Sequence, residues 1–251
     1  MPATHQLGLI GYPLSHSFSK KYFAEKFAKA NILNFDYELF PIEQITELPS
    51  LIKETPNLLG LNITIPYKVQ VIPYLDAIDE EAEKVGAVNT IRFEKGKLKG
   101  YNTDIYGFEH SLLDLLKSSS KPLHQLKALV LGTGGASKAV VHVLNKLAIV
   151  SQLVSRSEKN GVITYDSLDA TKFKDYNIVI NTTPLGTYPN VQACPLLPYD
   201  AVQPYHYFYD LVYNPAVSLF LSQGKQGGAS IKNGSDMLVL QAEKAWSIWT
   251  D

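Results

Sequence analysis

Short runs of β-branched and apolar residues give way, again and again, to stretches with helical spacing. Gln6 to Ile10 reads as a short buried strand that stops at Gly11-Tyr12-Pro13. After Ser17-Phe18-Ser19, residues Tyr22, Phe23, Phe27 and Ala30 fall on one helical face. Phe35 to Ile42 predicts a strand, and Ile42 to Lys53 a weaker helix interrupted by Pro49. Leu58 to Ile65 is apolar and β-branched, with polar breaks at Asn62 and Thr64. Pro66 then suits the first position of a following helix, where its missing N–H is not needed. Glu80 to Val85 predicts a further short helix, and Glu94-Lys95-Gly96-Lys97 a hairpin between Val88–Phe93 and Leu98–Tyr101. Asn102-Thr103-Asp104 caps a long helix running to about Leu116.

Ser118-Ser119-Ser120-Lys121-Pro122 is the only linker-like stretch. Beyond it, Ala128 to Leu131 enters the turn Gly132-Thr133-Gly134-Gly135. From Ala136 the spacing becomes helical, with Val140, Val143, Leu144 and Leu147 on one face. Strands follow at Gln152–Val154, Asn177–Asn181 and Tyr207–Val212, the last two separated by a proline-rich loop. A helix from Ala216 to Ser222 ending at Gly224, a strand at Ser230–Lys232 and a helix from Ser235 to Trp249 complete the pattern. Such alternation predicts an α/β protein with largely parallel sheets. Two lobes are expected: residues 1–103, and residues 104–233 built as a dinucleotide fold, with 234–251 returning to the first lobe.

Composition narrows the class of function. A chain of 251 residues has room for one large or two medium domains. A formal charge of −1 gives no electrostatic case for nucleic acid or an anionic membrane. Cys194 is the single cysteine, so an internal disulfide is excluded and a reducing cytoplasm fits. It sits among prolines and reads as an inert loop thiol. No secretory signal pattern and no apolar run of spanning length occurs, which points to the cytoplasm.

The order strand, glycine turn, helix presents backbone N–H groups and a helix N-terminus to a phosphate. Gly132 allows the tight turn and Gly134 lets backbone approach a pyrophosphate, while Ser137 replaces the third glycine of the usual fingerprint. About twenty residues on, where an acid would bind a ribose 2′-hydroxyl, stands Ser155-Arg156-Ser157. An arginine there pairs with a 2′-phosphate, which points to NADP rather than NAD. Lys68, two residues after Pro66, is expected in the first turn of a helix. There the dipole disfavours a cation and lowers its pKa, which helps proton exchange near neutral pH. Asp104 either caps a helix or pairs with Lys68. Ser17 and Ser19 cap the first helix or hold a substrate carboxylate. Asn62 and Asn89, amides in apolar strands, need partners, and substrate hydroxyls are one set.

These pieces together are similar to a known family. The set Gly11-Tyr12-Pro13-Leu14-Ser15-His16-Ser17-Phe18-Ser19, Asn62-Ile63-Thr64-Ile65-Pro66-Tyr67-Lys68, Gly86-Ala87-Val88-Asn89-Thr90, Asn102-Thr103-Asp104, Gly132-Thr133-Gly134-Gly135-Ala136-Ser137 and Gln241 resembles the shikimate dehydrogenases, in the family's order and over nearly the whole chain. The resemblance implies NADPH-dependent reduction of 3-dehydroshikimate to shikimate, on the route to chorismate and the aromatic amino acids. It implies a substrate-binding N-terminal lobe, a C-terminal Rossmann lobe and an active site in the groove between them. By position, Lys68 and Asp104 match the catalytic pair. Ser17, Ser19 and the Tyr213 hydroxyl match the groups that hold the carboxylate. Asn62, Thr64, Asn89, Asp104 and Gln241 match those around the ring hydroxyls. Gly132, Thr133, Gly134, Gly135 and Ala136 match the pyrophosphate loop, and Ser155, Arg156 and Ser157 the segment around the 2′-phosphate. Leu211 and Gly234 fall where the family's backbone flanks the nicotinamide. His16 is expected to be structural, as are Tyr205, Tyr207, Tyr209, Trp246 and Trp249. No metal is implied, and the protein is expected to be a monomer or homodimer.

Three departures stand out. Lys20 replaces a proline often found after the serine pair, which should alter only the helix start. Asn160 stands where a second basic residue is common in NADP-using members, which leaves Arg156 alone and the cofactor preference softer. The chain stops at Asp251, where many relatives continue with another helix. Rival readings are a quinate/shikimate dehydrogenase with relaxed cofactor choice, a ligand sensor and a folate-linked dehydrogenase. The serine pair and Arg156 lean away from the first. The retained Lys68 and Asp104 oppose the second, and the serine pair and Asn-Thr-Asp the third.

Overall fold

The structure, a computed structural model, describes residues 5–14 and 17–251. The chain divides into two compact units, Met1–Tyr106 with Gln241–Asp251, and Gly107–Leu240. In chain order the first unit contains β1 (His5–Gly11), α1 (Phe18–Lys29), β2 (Phe35–Pro41), α2 (Leu48–Glu54), β3 (Leu58–Ile63), β4 (Ala77–Ile78), α3 (Glu80–Val85), β5 (Thr90–Glu94) and β6 (Lys97–Tyr101). Helix α4 (Thr103–Leu115) leads into the second unit. That unit holds β7 (Lys127–Leu131), α5 (Gly135–Lys146), β8 (Val150–Ser155), β9 (Val162–Thr164), α6 (Ala170–Phe173), β10 (Ile178–Asn181), β11 (Tyr207–Asp210), α7 (Leu219–Gln226) and β12 (Ser230–Lys232). Helix α8 (Ser235–Thr250) begins in the second unit and ends in the first.

The first unit is a six-stranded mixed sheet in the order β2-β1-β3-β5-β6-β4, with β1 parallel to β2 and β3 and the β5–β6 hairpin antiparallel. The hairpin turns on two residues, Lys95 (φ 50°) and Gly96 (φ 77°), the doubly left-handed loop that matches strand twist. Alternation along β1 sends Leu7 and Leu9 into one cluster and Ile10 into another. The cluster around Leu7 takes in Phe23, Phe27, Tyr37 and, from α8, Ala242, Ala245, Ile248 and Trp249. The Trp249 indole is 2% exposed and donates to the Ile91 carbonyl at 2.9 Å. An added Cβ at Gly60 would run into that ring, so only a glycine fits beneath it.

The second unit is an all-parallel sheet in the order β12-β11-β10-β7-β8-β9. Its chain crosses from one half to the other between β7 and β10, the point of an open α/β sheet where ligands bind beyond the strand ends. Leu129, Leu131, Val154, Val179, Phe208 and Phe220 form the core on one face.

Several expectations need correction. Pro66 does not open a helix: residues 65–70 form turns that lead to the 3-10 turn Ile72–Tyr74. The Lys68 carbonyl accepts from Val88 N (2.7 Å) and Ile72 N goes to Val69, so an α-helical ladder cannot form through Lys68. The dipole effect expected at Lys68 therefore does not arise. The helix read over Ile42–Lys53 is a 3-10 turn, Ile45–Glu47, followed by α2, with Pro49 in its first turn, where no N–H is required. Helix α7 starts three residues later than expected, because Ser218 caps it by accepting from Leu221 N, and it runs through Gly224. That glycine lies against the Phe208 ring and serves packing rather than termination.

Candidate active site

Lys68 and Asp104 lie in the first unit and meet at 2.6 Å, with one third and one fifth of their side chains exposed. Each is fixed by its neighbours in sequence. Beside Lys68, the buried Tyr67 donates its hydroxyl to the Ile42 carbonyl (2.8 Å), and the Lys68 carbonyl is tied to Val88. Asp104 occupies the first turn of α4, where a carboxylate is favoured by the helix N-terminus. The start of α4 is capped by Asn89, whose Oδ1 accepts from Thr103 N at 2.7 Å while its Nδ2 donates to Thr103 Oγ1 at 3.0 Å. Asn102 Nδ2 holds the Ala87 carbonyl at 2.9 Å.

Asn62 lies on the same floor. It accepts from the Tyr37 hydroxyl (2.8 Å) and donates to Thr90 Oγ1 (3.1 Å) and the Asn89 carbonyl (3.4 Å). Both amides are buried, and protein groups meet their hydrogen-bonding needs. Gln241, carried by α8, extends the network by accepting from Thr103 Oγ1 at 3.5 Å. Thr64 packs its methyl group against Gly11, which has no room for a Cβ there. Ser17 caps α1 by accepting from Lys20 N (3.4 Å), and Ser19 is hydrogen-bonded to the buried Tyr37 hydroxyl, whose pKa is raised by burial. Lys20 pairs with Glu38 at 2.6 Å. Ser15 and His16 lie outside the described residues.

The second unit has a cavity of about 600 Å³ at the ends of β7, β8 and β10. Gly132, Thr133, Gly134, Ser155 and Arg156 line it, together with Tyr165, the 182–185 loop and the Cys194–Leu196 segment. Gly132 has φ +103°, a left-handed conformation that a side chain would strain. Cβ atoms at Gly134 and Gly135 would meet nothing within 4 Å, so the first turn of α5 stands open to a ligand. Ser137, in place of the third glycine, is buried and donates to the Gly134 carbonyl at 2.6 Å, which shapes the turn from within. No acidic side chain lines the cavity, and Arg156 has no carboxylate partner among the described residues. This set fits a dinucleotide carrying a 2′-phosphate.

Gly135, Ala136 and Ser157 border the cavity in sequence without lining it. Leu211 follows β11, and Gly234 packs its Cα onto the Leu211 carbonyl and donates to the Val212 carbonyl at 3.2 Å. Tyr213 is 45% exposed in the loop after β11. Sequence reasoning overlooked Tyr165, Thr182 and Thr183. The polar Asn181-Thr182-Thr183 at a strand end was the available signal. Cys194, read as an inert loop thiol, lines the same cavity. Among the described residues no cluster of His, Cys, Asp or Glu could hold a metal, and no helix is long and apolar enough to cross a membrane.

Known proteins resemble this chain in sequence and fold. Residues 9–91 match the family model described as the shikimate dehydrogenase substrate binding domain. The chain is 40% identical to a shikimate dehydrogenase (NADP(+)) of Clostridium beijerinckii, over 97% of this chain and 91% of the relative. It is 36% identical to one from Methanosphaera stadtmanae, over 97% and 90%. A crystal structure of shikimate 5-dehydrogenase from Thermus thermophilus in complex with NADP(H) and shikimate superposes with a TM-score of 0.82. The identity is 30%, over 98% of this chain and 93% of that one. On the identity and coverage of these relatives, the chain belongs to the shikimate dehydrogenase family.

Proposed function

We propose that the chain catalyses the reversible, NADP-linked interconversion of 3-dehydroshikimate and shikimate, in the biosynthesis of chorismate and the aromatic amino acids. The observation that carries this reading is the Lys68–Asp104 pair at 2.6 Å, anchored by Val88 and Asn89 on the floor of the first unit. Bound at the glycine turn of the second unit, NADPH supplies a hydride to the C3 carbonyl carbon of the substrate. Lys68 delivers a proton to the carbonyl oxygen, directly or through water, or stabilises the charge that develops on it. Asp104 orients the neighbouring hydroxyl and keeps the ammonium in place. Ser17, Ser19 and Tyr213 hold the carboxylate, while Asn62, Thr64, Asn89 and Gln241 surround the ring hydroxyls. Gly132 to Ala136 cradle the pyrophosphate, Ser155, Arg156 and Ser157 take the 2′-phosphate, and the backbone at Leu211 and Gly234 flanks the nicotinamide.

Residues 1–103 with 234–251 act as the substrate-binding domain and residues 104–233 as the dinucleotide-binding domain. The enzyme works in the cytoplasm on a small molecule, as a monomer or homodimer, without nucleic acid. The test is a nicotinamide absorbance assay with shikimate or quinate and NADP or NAD. Turnover highest with shikimate and NADP is expected. Turnover confined to quinate, or absent with all four pairs, would refute the assignment.

A further inference from the structure

Asp210 is a fully buried carboxylate at the end of β11 with no cation beside it among the described residues. Three donors from three segments converge on it. Asn181 Nδ2, at the end of β10, reaches Oδ1 at 2.9 Å. Val212 N, in the loop after β11, reaches the same oxygen at 3.0 Å. The Ser218 hydroxyl, at the cap of α7, donates a short hydrogen bond to Oδ2.

The chain of contacts continues outward from Asn181. Its Oδ1 accepts from Thr183 N (3.0 Å) and Thr183 Oγ1 (2.7 Å), and its Nδ2 also reaches the Leu185 carbonyl at 3.3 Å. Thr182 Oγ1 donates to the Leu131 carbonyl at 2.7 Å. The Thr183 methyl and Thr182 hydroxyl crowd the place where a Cβ on Gly132 would be, at 2.9 and 3.0 Å from it. One carboxylate thus ties together the wall of the cavity at 182–185, the glycine turn behind it and the backbone that carries Leu211 and Tyr213.

We infer that Asp210 is a positioning residue for the dinucleotide, setting the 182–185 wall and the Leu211 strand end at the same time. This rests on reading the second unit as the cofactor half of the enzyme. A hydrophobic residue would fill the site without desolvating a charge, so packing does not account for a carboxylate there. The three donors do account for it: two N–H groups and a hydroxyl need acceptors, and one Asp side chain supplies both oxygens.

The test measures NADPH binding by fluorescence titration and steady-state constants in D210A, D210N and S218A, with thermal melting alongside. D210A is expected to weaken NADPH binding about tenfold or more, with a smaller rise of at most about threefold in KM for shikimate because Tyr213 follows on the same backbone. D210N keeps one carbonyl acceptor for Val212 and Asn181 and can donate to Ser218, so it should recover most of the affinity. S218A removes one donor to Asp210 together with the side-chain cap of α7, leaves the other two donors in place, and should weaken NADPH binding by roughly threefold. It stands in for D210A if that variant does not fold. NADPH affinity unchanged in the folded variants, or NADPH and shikimate constants worsening by the same factor, overturns the inference. A wild-type protein that does not bind NADPH overturns the cofactor reading itself, which is a separate result.

Discussion

At the scale of single residues, Lys68 and Asp210 make opposite demands on their surroundings. Lys68 is partly exposed and paired, and it sits in a turn whose shape depends on a contact with Val88. Lys68→Ala is expected to lower kcat by roughly 10²–10⁴-fold, the usual worth of a placed proton donor, with shikimate still bound. Calorimetric binding together with turnover checks this, and near-normal turnover would end the catalytic role. Asp210 is pushed up to about 6 by burial, only partly offset by the hydrogen bonds from Ser218, Val212 and Asn181, with Tyr199 and Tyr209 the titratable side chains in its field. Between the ordinary carboxylate value and about 6 the folded chain holds a proton that the unfolded chain releases. The contribution of Asp210 to stability is therefore full below about pH 4 and falls as pH rises through about 6, by roughly 3 kcal/mol in all. Asp210→Asn carries no such titration. Its stability relative to wild type should rise between about pH 4 and about pH 7, measured by urea unfolding, and a pH-independent difference would contradict the assignment.

At the scale of elements, glycines with the same backbone freedom do different work. Gly224 lies inside α7 with Phe208 ring atoms 2.7 Å from where a Cβ would be, both residues buried. Gly224→Ala gains about 1 kcal/mol of helix propensity but costs about 1–3 kcal/mol in overpacking, so the net change should be destabilising. Gly134 faces open space, and Gly134→Ala should leave the melting temperature unchanged while weakening NADPH binding severalfold. Melting curves paired with NADPH titration separate the two. The periodic elements were legible in the sequence, because apolar spacing reports burial directly: α3 and β12 begin and end where the pattern places them. The glycine turn and Arg156 were legible because their chemistry is local. The segment after Pro66 was not, since it depends on where the Lys68 carbonyl goes, and its partner Val88 lies far along the chain. Asp210 was hidden for the same reason. In sequence it reads as one more residue of a strand, and its meaning comes from Asn181 and Ser218.

At the scale of the whole molecule, the first unit is discontinuous: Trp249 and its neighbours on α8 pack with Phe23 and Tyr37 from the other end of the chain. Trp249→Ala is expected to cost about 3–5 kcal/mol, and scanning calorimetry should show the loss. An unchanged melting profile would mean that the helix contributes little to that core. The order of synthesis adds a consequence. Residues 1–106 leave the ribosome well before 241–251, separated by the whole of 107–240. At typical elongation rates the gap is on the order of ten seconds. Throughout that interval β1 and α1 lack the α8 residues that complete their apolar cluster, whereas the continuous second unit has all its strands once residue 232 is made. Ribosome-stalled chains ending before residue 241 are therefore expected to bind ribosome-associated chaperones through β1 and α1, and stalled chains that bind no more chaperone than the full-length chain would contradict this.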